Sequence, residues 1–325
     1  MQPNRPRPGL KGIASPRLVL PLLLVGSACA APPATWQAGP SLLHPRAAHA
    51  VVAGDDAIYV LAGTGRDGAP VRAVERYDGE RWTVDTELPG RGLNAPAAVI
   101  LDGRLHLIGG FDTTTNVPRV DVDIYDPPAR TWSAGVPLPA PRGGHAAVVL
   151  AGRVHVLGGG NSRSTLANHD VYDPVSRTWS ARAPLPRPEG SPAAVVLDGK
   201  LIAIGGRSGA QDFGAVDIFD PAADAWTPGP PIDPRATVGA AVHCGALHVF
   251  GGESQARRQV LANVLRLDPH GAWQPVAPLP TARNFARAVV FRGAVHVVGG
   301  SLDVQVSHAP AGSAVVETLA CVGTT

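Results

Sequence analysis

The sequence predicts an all-β chain built from six repeats of one four-stranded antiparallel sheet. Three periodic series carry that prediction. All six tryptophans, Trp36, Trp82, Trp132, Trp179, Trp226 and Trp273, recur at spacings of 46, 50, 47, 47 and 47 residues. Apolar segments end six times in a pair of small residues: Ala62-Gly63, Gly109-Gly110, Gly158-Gly159, Gly205-Gly206, Gly251-Gly252 and Gly299-Gly300. An aromatic or apolar residue precedes Asp at Tyr77-Asp78, Tyr125-Asp126, Tyr172-Asp173, Phe219-Asp220 and Leu267-Asp268. A fixed period of this length is the signature of a repeat architecture. The 38 Gly and 33 Pro among 325 residues are spread evenly, which means many short elements joined by turns and argues against helices. With 45% hydrophobic and 17% charged residues, a packed core rather than a disordered chain is expected.

The unit spanning residues 142–186 illustrates each element in order. Ala146-Ala-Val-Val-Leu150 is a continuous apolar run, as expected of a strand buried on both faces. Ala151-Gly152 turns the chain, and Arg153-Val-His-Val-Leu157 returns with partial alternation. Gly158-Gly159 permits positive φ or close backbone approach. A polar loop of variable length leads to Val171-Tyr172, Asp173-Pro174 makes the next turn, and Thr178-Trp179-Ser180 starts the outermost strand. Pro184-Leu185-Pro186 ends the pairing, because proline cannot donate to a ladder.

Arg-x-x-His, an apolar strand, Tyr/His-x-x-Gly-Gly, Tyr-Asp and Trp together resemble the kelch repeat, over about residues 35–321. The resemblance implies a β-propeller with one four-stranded blade per repeat. Six small-residue pairs mean six blades. The sixth has candidate strands Ala286–Phe291, Ala294–Val298 and Ala314–Ala320 but no following Trp, whereas Thr35-Trp36-Gln37 stands unassigned at the other end. The N-terminal strand is therefore expected to complete the last blade, removing the loose edge of a linear array. Residues 35–321 form the propeller, with 30–34 a linker and 322–325 a tail.

Residues 1–29 read as an export signal: a basic, Pro-rich stretch to residue 17, the apolar run Leu18–Val25, then Gly26-Ser-Ala-Cys-Ala30. Ala28-Cys29-Ala30 fits small-x-small cleavage. Gly26-Ser27-Ala28-Cys29 resembles a bacterial lipobox, with Gly26 in place of Leu or Val, and would tether a lipidated Cys29 to the membrane. The expected location is the periplasm, the outer membrane or the extracellular space. Losing Arg5, Arg7, Lys11 and Arg17 with this segment takes the formal charge from +2 to −2, so nothing favours nucleic acid as a partner. Cys244 and Cys321 remain. An oxidising compartment permits a bridge between them, but two separate buried thiols are the favoured expectation.

His106, His155, His248 and His296 share the position three before the first glycine of each pair, with Tyr59 there in the first repeat. Equivalent positions in separate blades lie around the ring and cannot converge on one ion, so these histidines are expected to be structural, with no metal and no cofactor. His49 and His145, at the Arg-x-x-His position, are read the same way. Tyr59, Tyr77, Tyr125 and Tyr172 all occupy repeat positions, which argues against the copper site of some kelch enzymes. Arg46, Arg142, Arg235 and Arg283 share the loop leading into the innermost strand. The second and fourth repeats differ: Arg91-Gly-Leu-Asn94-Ala-Pro96 and Arg187-Pro-Glu189-Gly-Ser-Pro192 place Arg two positions earlier and Pro where His stood. These arginines either brace neighbouring blades through loop carbonyls, the favoured reading, or ring the channel mouth with guanidinium groups suited to carboxylate or phosphate.

Chain direction puts the loops leading into the inner strands beside the variable loops after each glycine pair, and variable loops on a rigid frame are where binding resides. Polar candidates there are Arg66, Asp67, Asp112, Arg119, Asn161, Arg163, Asp212, Glu253, Arg257 and Asp303. Arg287 stands where Ala146 stands in the third repeat, at the start of a channel-lining strand. A ligand site drawing on Arg91, Glu189, Arg235 and Arg287 is the specific expectation. Gly63-Thr-Gly65-Arg-Asp-Gly68 matches a dinucleotide fingerprint but precedes no amphipathic helix, and no Gly-x-Ser-x-Gly, His-Glu-x-x-His or Cys-x-x-Cys occurs. The expected function is a monomeric, exported, non-enzymatic module that binds a protein or glycan through the loop face. The alternative implied by the resemblance is a carbohydrate-active enzyme, such as a sugar-acid mutarotase or epimerase, working at the channel mouth.

Overall fold

The computed structural model describes residues 35–304 and 310–321, together with Met1. The export segment with Cys29, the linker and the C-terminal tail lie outside the described residues. Those described contain strands and turns and no α-helix. Six four-stranded antiparallel sheets follow one another. Blade one pairs Ala50–Ala53, Ile58–Leu61, Ala73–Tyr77 and Trp82–Glu87 in that order, and blade three pairs Ala146–Leu150, Arg153–Leu157, His169–Asp173 and Thr178–Ala181. Blades two, four and five repeat the order from Ala97–Leu101, Ala193–Leu197 and Gly239–His243.

Blade six carries both ends of the ring. Arg287–Phe291, Ala294–Val298 and Val316–Ala320 supply three strands, and Gln37–Ala38 supplies the fourth, with Gln37 opposite Thr318 and Ala38 opposite Glu317. The closing strand lies slightly later than Thr35–Gln37, with Trp36 just before it. Its ring meets Phe250 edge-on at 6.0 Å, and its Nε1 donates to Ala277 O at 3.0 Å.

That indole bond is one of a series. Trp82 donates to Pro40 O, Trp179 to Val136 O, Trp226 to Ala183 O and Trp273 to Pro230 O, each at 2.7–3.1 Å. Each outermost strand is thereby fastened to the chain leaving the blade before it. Trp132, in blade two, is the exception: its buried Nε1 has no partner.

The core lies between blades. Six apolar clusters each join two adjacent sheets, for example Val99, Leu101 and Ile108 of blade two with Val154 and Val156 of blade three. The second strand of each blade, rather than the innermost, is the one buried on both faces. Ile58–Leu61 is buried throughout, whereas Ala146–Leu150 is half-buried at its centre because it borders the central channel. Gly109 shows why small residues are needed where the second strand ends: at φ +55°, a Cβ there would lie 2.6 Å from Arg142 O of the next blade.

Backbone bridges fix the loop face. In five blades the loop leading into the inner strand pairs with the loop after the glycine pair: Ala47 with Thr64, Gly143 with Gly160, Gly190 with Arg207, Ala236 with Glu253, and Asn284 with Ser301. In blade two the same contact is a short ladder between Leu93–Asn94 and Phe111–Asp112.

Candidate functional site

The inner strands begin around a central channel. One register places Ala50, Ala97, Ala146, Ala193, Gly239 and Arg287 opposite the last residue of each second strand. Four alanine methyls, the bare backbone of Gly239 and one guanidinium therefore line a cavity of about 120 Å³. Arg287 is half-buried where it lines the cavity, and desolvation alone pulls its pKa down to about 10. Its Nε donates to His49 O at 3.3 Å, and among the described residues no carboxylate pairs with it.

His49 and His145, immediately before the inner strands of blades one and three, are buried nearby. Burial, then Arg142 and Arg287, hold His145 near a pKa of about 3, against a backbone contact to Ile108. Burial, then Arg46 and Arg287, likewise push His49 well below its ordinary value. Both imidazoles are neutral at pH 7, so Arg287 is the positive charge that faces the channel. The residues lining the cavity include no carboxylate.

The register arginines have a different task. Arg46 donates to Ala62 O and Ala73 O at 3.2 and 3.1 Å and to Glu75 at 2.5 Å. Arg283 repeats this with Gly299 O, Val315 O and Glu317 at 3.3, 2.8 and 2.5 Å, and Arg142 pairs with Asp170. All the acceptors belong to the arginine's own blade, so each brace ties a blade to itself rather than to its neighbour. The guanidinium groups lie in the protein, not around the channel mouth.

The acid in every case sits on the third strand, opposite the residue two before the small pair: Glu75 opposite Val60, Asp170 opposite Val156, Glu317 opposite Val297. Asp217 occupies the same place in blade four, where Glu189 replaces the arginine. Arg187 reaches in from two positions earlier and bridges Glu189 and Asp217 at 2.6 Å each. Burial raises the Glu189 pKa to about 7 despite that pairing. In blade five the arginine survives without its acid, because Leu265 stands opposite Val249. Arg235 is buried, donates from Nε to Asp233 O at 3.1 Å and leaves Nη1 unpartnered.

Blade two has the acid without the arginine. Leu93 takes the brace position, and Arg91 turns outward to lie 3.7 Å from Asp112, which Arg119 also approaches at 3.7 Å. The four residues of the expected ligand site are thus not brought together. Arg91 is exposed on the rim of blade two, Glu189 and Arg235 are buried in blades four and five, and Arg287 alone lines the channel.

Other loop candidates form a cluster between blades four and six. Arg207 lies 3.2 Å from Asp212 and 2.7 Å from buried Glu253, which accepts from Asn284 at 2.6 Å. Apolar side chains stand exposed on the same face, with Leu43, Val117 and Leu302 each 52% accessible.

Cys244 and Cys321 are not separate buried thiols. Both are on the surface and form a disulfide, their Cα atoms 5.6 Å apart. The packing of blade five against blade six brings them together, since Cys244 occupies the first hairpin turn of blade five and Cys321 follows the third strand of blade six. His106, His155, His248 and His296 are buried within their sheets, and His155 Nδ1 lies 2.9 Å from His169 Nε2.

Comparison with known proteins agrees with this architecture. The family model for the KLHDC2/KLHL20/DRC7 Kelch-repeats domain matches residues 97–300, and the Kelch motif matches residues 45–89. Alpha-scruin of Limulus polyphemus is 36% identical over 98 residues, covering 29% of this chain and 11% of scruin. Kelch-like protein 38 of Rattus norvegicus is 31% identical over 99 residues, covering 30% of this chain and 17% of that protein. The matches thus span less than a fifth of these curated relatives. The solved structure of YjhT superposes with a TM-score of 0.73 at 18% identity, over 88% of this chain and 97% of YjhT, which is a likeness of fold. With most of its length matched by the repeat domain and its six sheets closed into a ring, the chain belongs to the kelch-repeat family and is a six-bladed β-propeller.

Proposed function

We propose that the chain is an exported binding module that engages a protein or glycan through its loop face, tethered to a membrane where Cys29 is lipidated. The observation that carries this reading is the backbone pinning of the loops, one bridge or short ladder in every blade. Loops held before contact lose little conformational freedom on association, so a broad surface can bind without a large ordering cost. Exposed Leu43, Val117 and Leu302 supply apolar contact area beside the charged loop residues.

The channel favours a second, narrower reading as an anion pocket. Arg287 is an unpaired guanidinium in a small cavity and suits a carboxylate. A sugar-acid mutarotase would need groups that exchange protons near neutral pH. Neutral His49 and His145 and a lining without carboxylates do not supply them in the channel cavity.

Photo-crosslinking residues placed at Val117, Leu302 and Val175 test the main reading, because Val175 lies in a turn on the opposite face. Partner adducts are expected from the first two positions and not from the third. Adducts from Val175 alone would overturn the loop-face assignment. A screen of glycans and sugar acids against the wild type and Arg287→Ala separates the readings: loss of a small acid ligand in the variant favours the channel pocket.

A further inference from the structure

Blade two contains a receptor for a guanidinium group that the chain itself does not fill. Four other blades present a third-strand acid at one register, Glu75, Asp170, Asp217 and Glu317, and each binds an arginine of its own blade. Asp123 is the blade-two member of this series, opposite Leu107 just as Glu75 is opposite Val60. Its carboxylate makes no hydrogen bond or ion pair among the described residues. The reason lies in the sequence: Leu93 stands where Arg46, Arg142 and Arg283 stand, too short and apolar to reach an acid as they do. Arg91 has the same offset as Arg187 but is drawn outward to Asp112, while Arg119 is held by Asp121 at 2.5 Å.

The missing side chain leaves a space of about 220 Å³, lined by Leu93, Gly109, Asp121, Asp123 and the rim residues Arg91 and Arg119. Its walls repeat the sites that hold a guanidinium elsewhere. Arg46 bonds Ala62 O and Ala73 O, and Arg283 bonds Gly299 O and Val315 O. By register the equivalent carbonyls in blade two belong to Gly109 and Asp121. A carboxylate and two carbonyls in this arrangement match the planar, multi-donor geometry of a guanidinium better than a point-like ammonium. Charge agrees as well. Both rim arginines are engaged by Asp112 and Asp121, so Asp123 is the uncompensated charge of the slot. Burial, and then repulsion from Asp121, push its pKa up despite the attraction of Arg119, as expected of an acid that lacks a bonded cation.

We propose that this slot binds an arginine side chain presented by a partner at the edge of the loop face. That the arginine belongs to a partner protein rests on the loop-face reading; that the slot takes a guanidinium does not. The occupant reproduces from outside what Arg46 and Arg283 do from within, with the carboxylate of Asp123 as its ion-pair acceptor and Leu93 against its methylene stem. The slot would make arginine the specificity-determining residue of the ligand, and lysine a poor substitute.

The test is a titration of the full chain at pH 8, by NMR or calorimetry, with N-acetylarginine methylamide and its uncharged citrulline counterpart. Saturable binding of the arginine compound and none of the citrulline compound is expected. Asp123→Asn should weaken it roughly tenfold or more, the effect of removing a charge-assisted bond. Leu93→Arg should abolish it by filling the slot from within, and should raise the melting temperature as the missing brace is restored. Melting curves show that each variant is folded. No saturable binding to wild type, equal binding of citrulline, or undiminished binding to Leu93→Arg would overturn the proposal. Because the probe is a blocked amino acid, this outcome is independent of where the photo-crosslinks locate a partner.

Discussion

The buried arginine–acid braces should be worth far more when broken on one side than when removed together. Arg283 and Glu317 give the cleanest case, because among the described residues Arg283 is the only side chain bonded to Glu317 and both are almost wholly buried. Glu317→Leu reproduces in blade six the residue that blade five carries naturally at Leu265. It leaves the Arg283 guanidinium with only Gly299 O and Val315 O in a site where burial already disfavours its charge. Stranding one member of a buried pair costs about 3–5 kcal/mol, whereas replacing both by apolar groups is often nearly neutral. Glu317→Leu and Arg283→Leu should each lower the urea midpoint by roughly 1 M or more, for a slope of about 3 kcal/mol/M. The double variant should recover most of the loss, giving a coupling energy of roughly 5 kcal/mol or more, since two costs of about 3 kcal/mol or more give way to one near zero. Equilibrium urea unfolding at pH 7, followed by tryptophan fluorescence, measures all four corners of the cycle. Arg235 shows that the fold can bury an unpaired arginine. If Glu317→Leu alone costs less than about 1 kcal/mol, or the double variant is as unstable as the sum of the singles, the braces do not stabilise the blades as argued.

Three further outcomes follow from the charges and the cross-link. Glu189, with a pKa raised to about 7 in the fold, keeps a proton that the unfolded chain releases, so its contribution to stability falls as pH rises from about 4.5 to 7. Glu189→Gln should therefore stabilise the protein by up to roughly 3 kcal/mol at pH 8 and change little at pH 4, with equal effects at both pH values refuting this. His145, held neutral at a pKa of about 3, has the opposite sign: its contribution is complete above pH 6.5 and lost as pH falls toward 3. Stability should drop by about 1.4 kcal/mol per pH unit from this group within that window, with His155 and His169 adding to the slope, and a flat urea midpoint between pH 6.5 and 4 would contradict it. The bridge between Cys244 and Cys321 closes a segment of 77 residues, so reduction should cost about 4.5 kcal/mol by loop-closure entropy, seen as a lower melting temperature with reductant.

The blades were legible because each strand end carries a residue with a mechanical duty. Gly109 is required by Arg142 O of the next blade, and Trp179 by Val136 O of the one before. The missing Trp after the sixth repeat therefore pointed to Trp36, which does complete the series. The arginine register was equally visible, but its function was not, since a sequence alone does not show that Arg46 and Glu75, 29 residues apart, face one another. The informative signal was present: an acid two residues before the aromatic or apolar position at Glu75, Asp123, Asp170, Asp217 and Glu317, and leucine at Leu265. Reading the two registers together exposes the unmatched positions, Arg235 and Asp123. Arg91 could not be separated from Arg187 in this way. Their offsets are identical, and only the outward pull of Asp112, on a different loop, distinguishes them. The Cys244–Cys321 bridge was open in the sequence but not the favoured expectation for a similar reason, because their proximity arises only once blades five and six are packed together.

Pairing Gln37 with Thr318 leaves the propeller without an outermost repeat. Linear arrays fray because a terminal unit contacts one neighbour and can peel away while the rest persists. Here every sheet is flanked on both sides, so disengaging the short seam would strip two sheets of a partner at once. Heat or denaturant should accordingly meet a single cooperative structure whose weakest link is the meeting point of its own two ends.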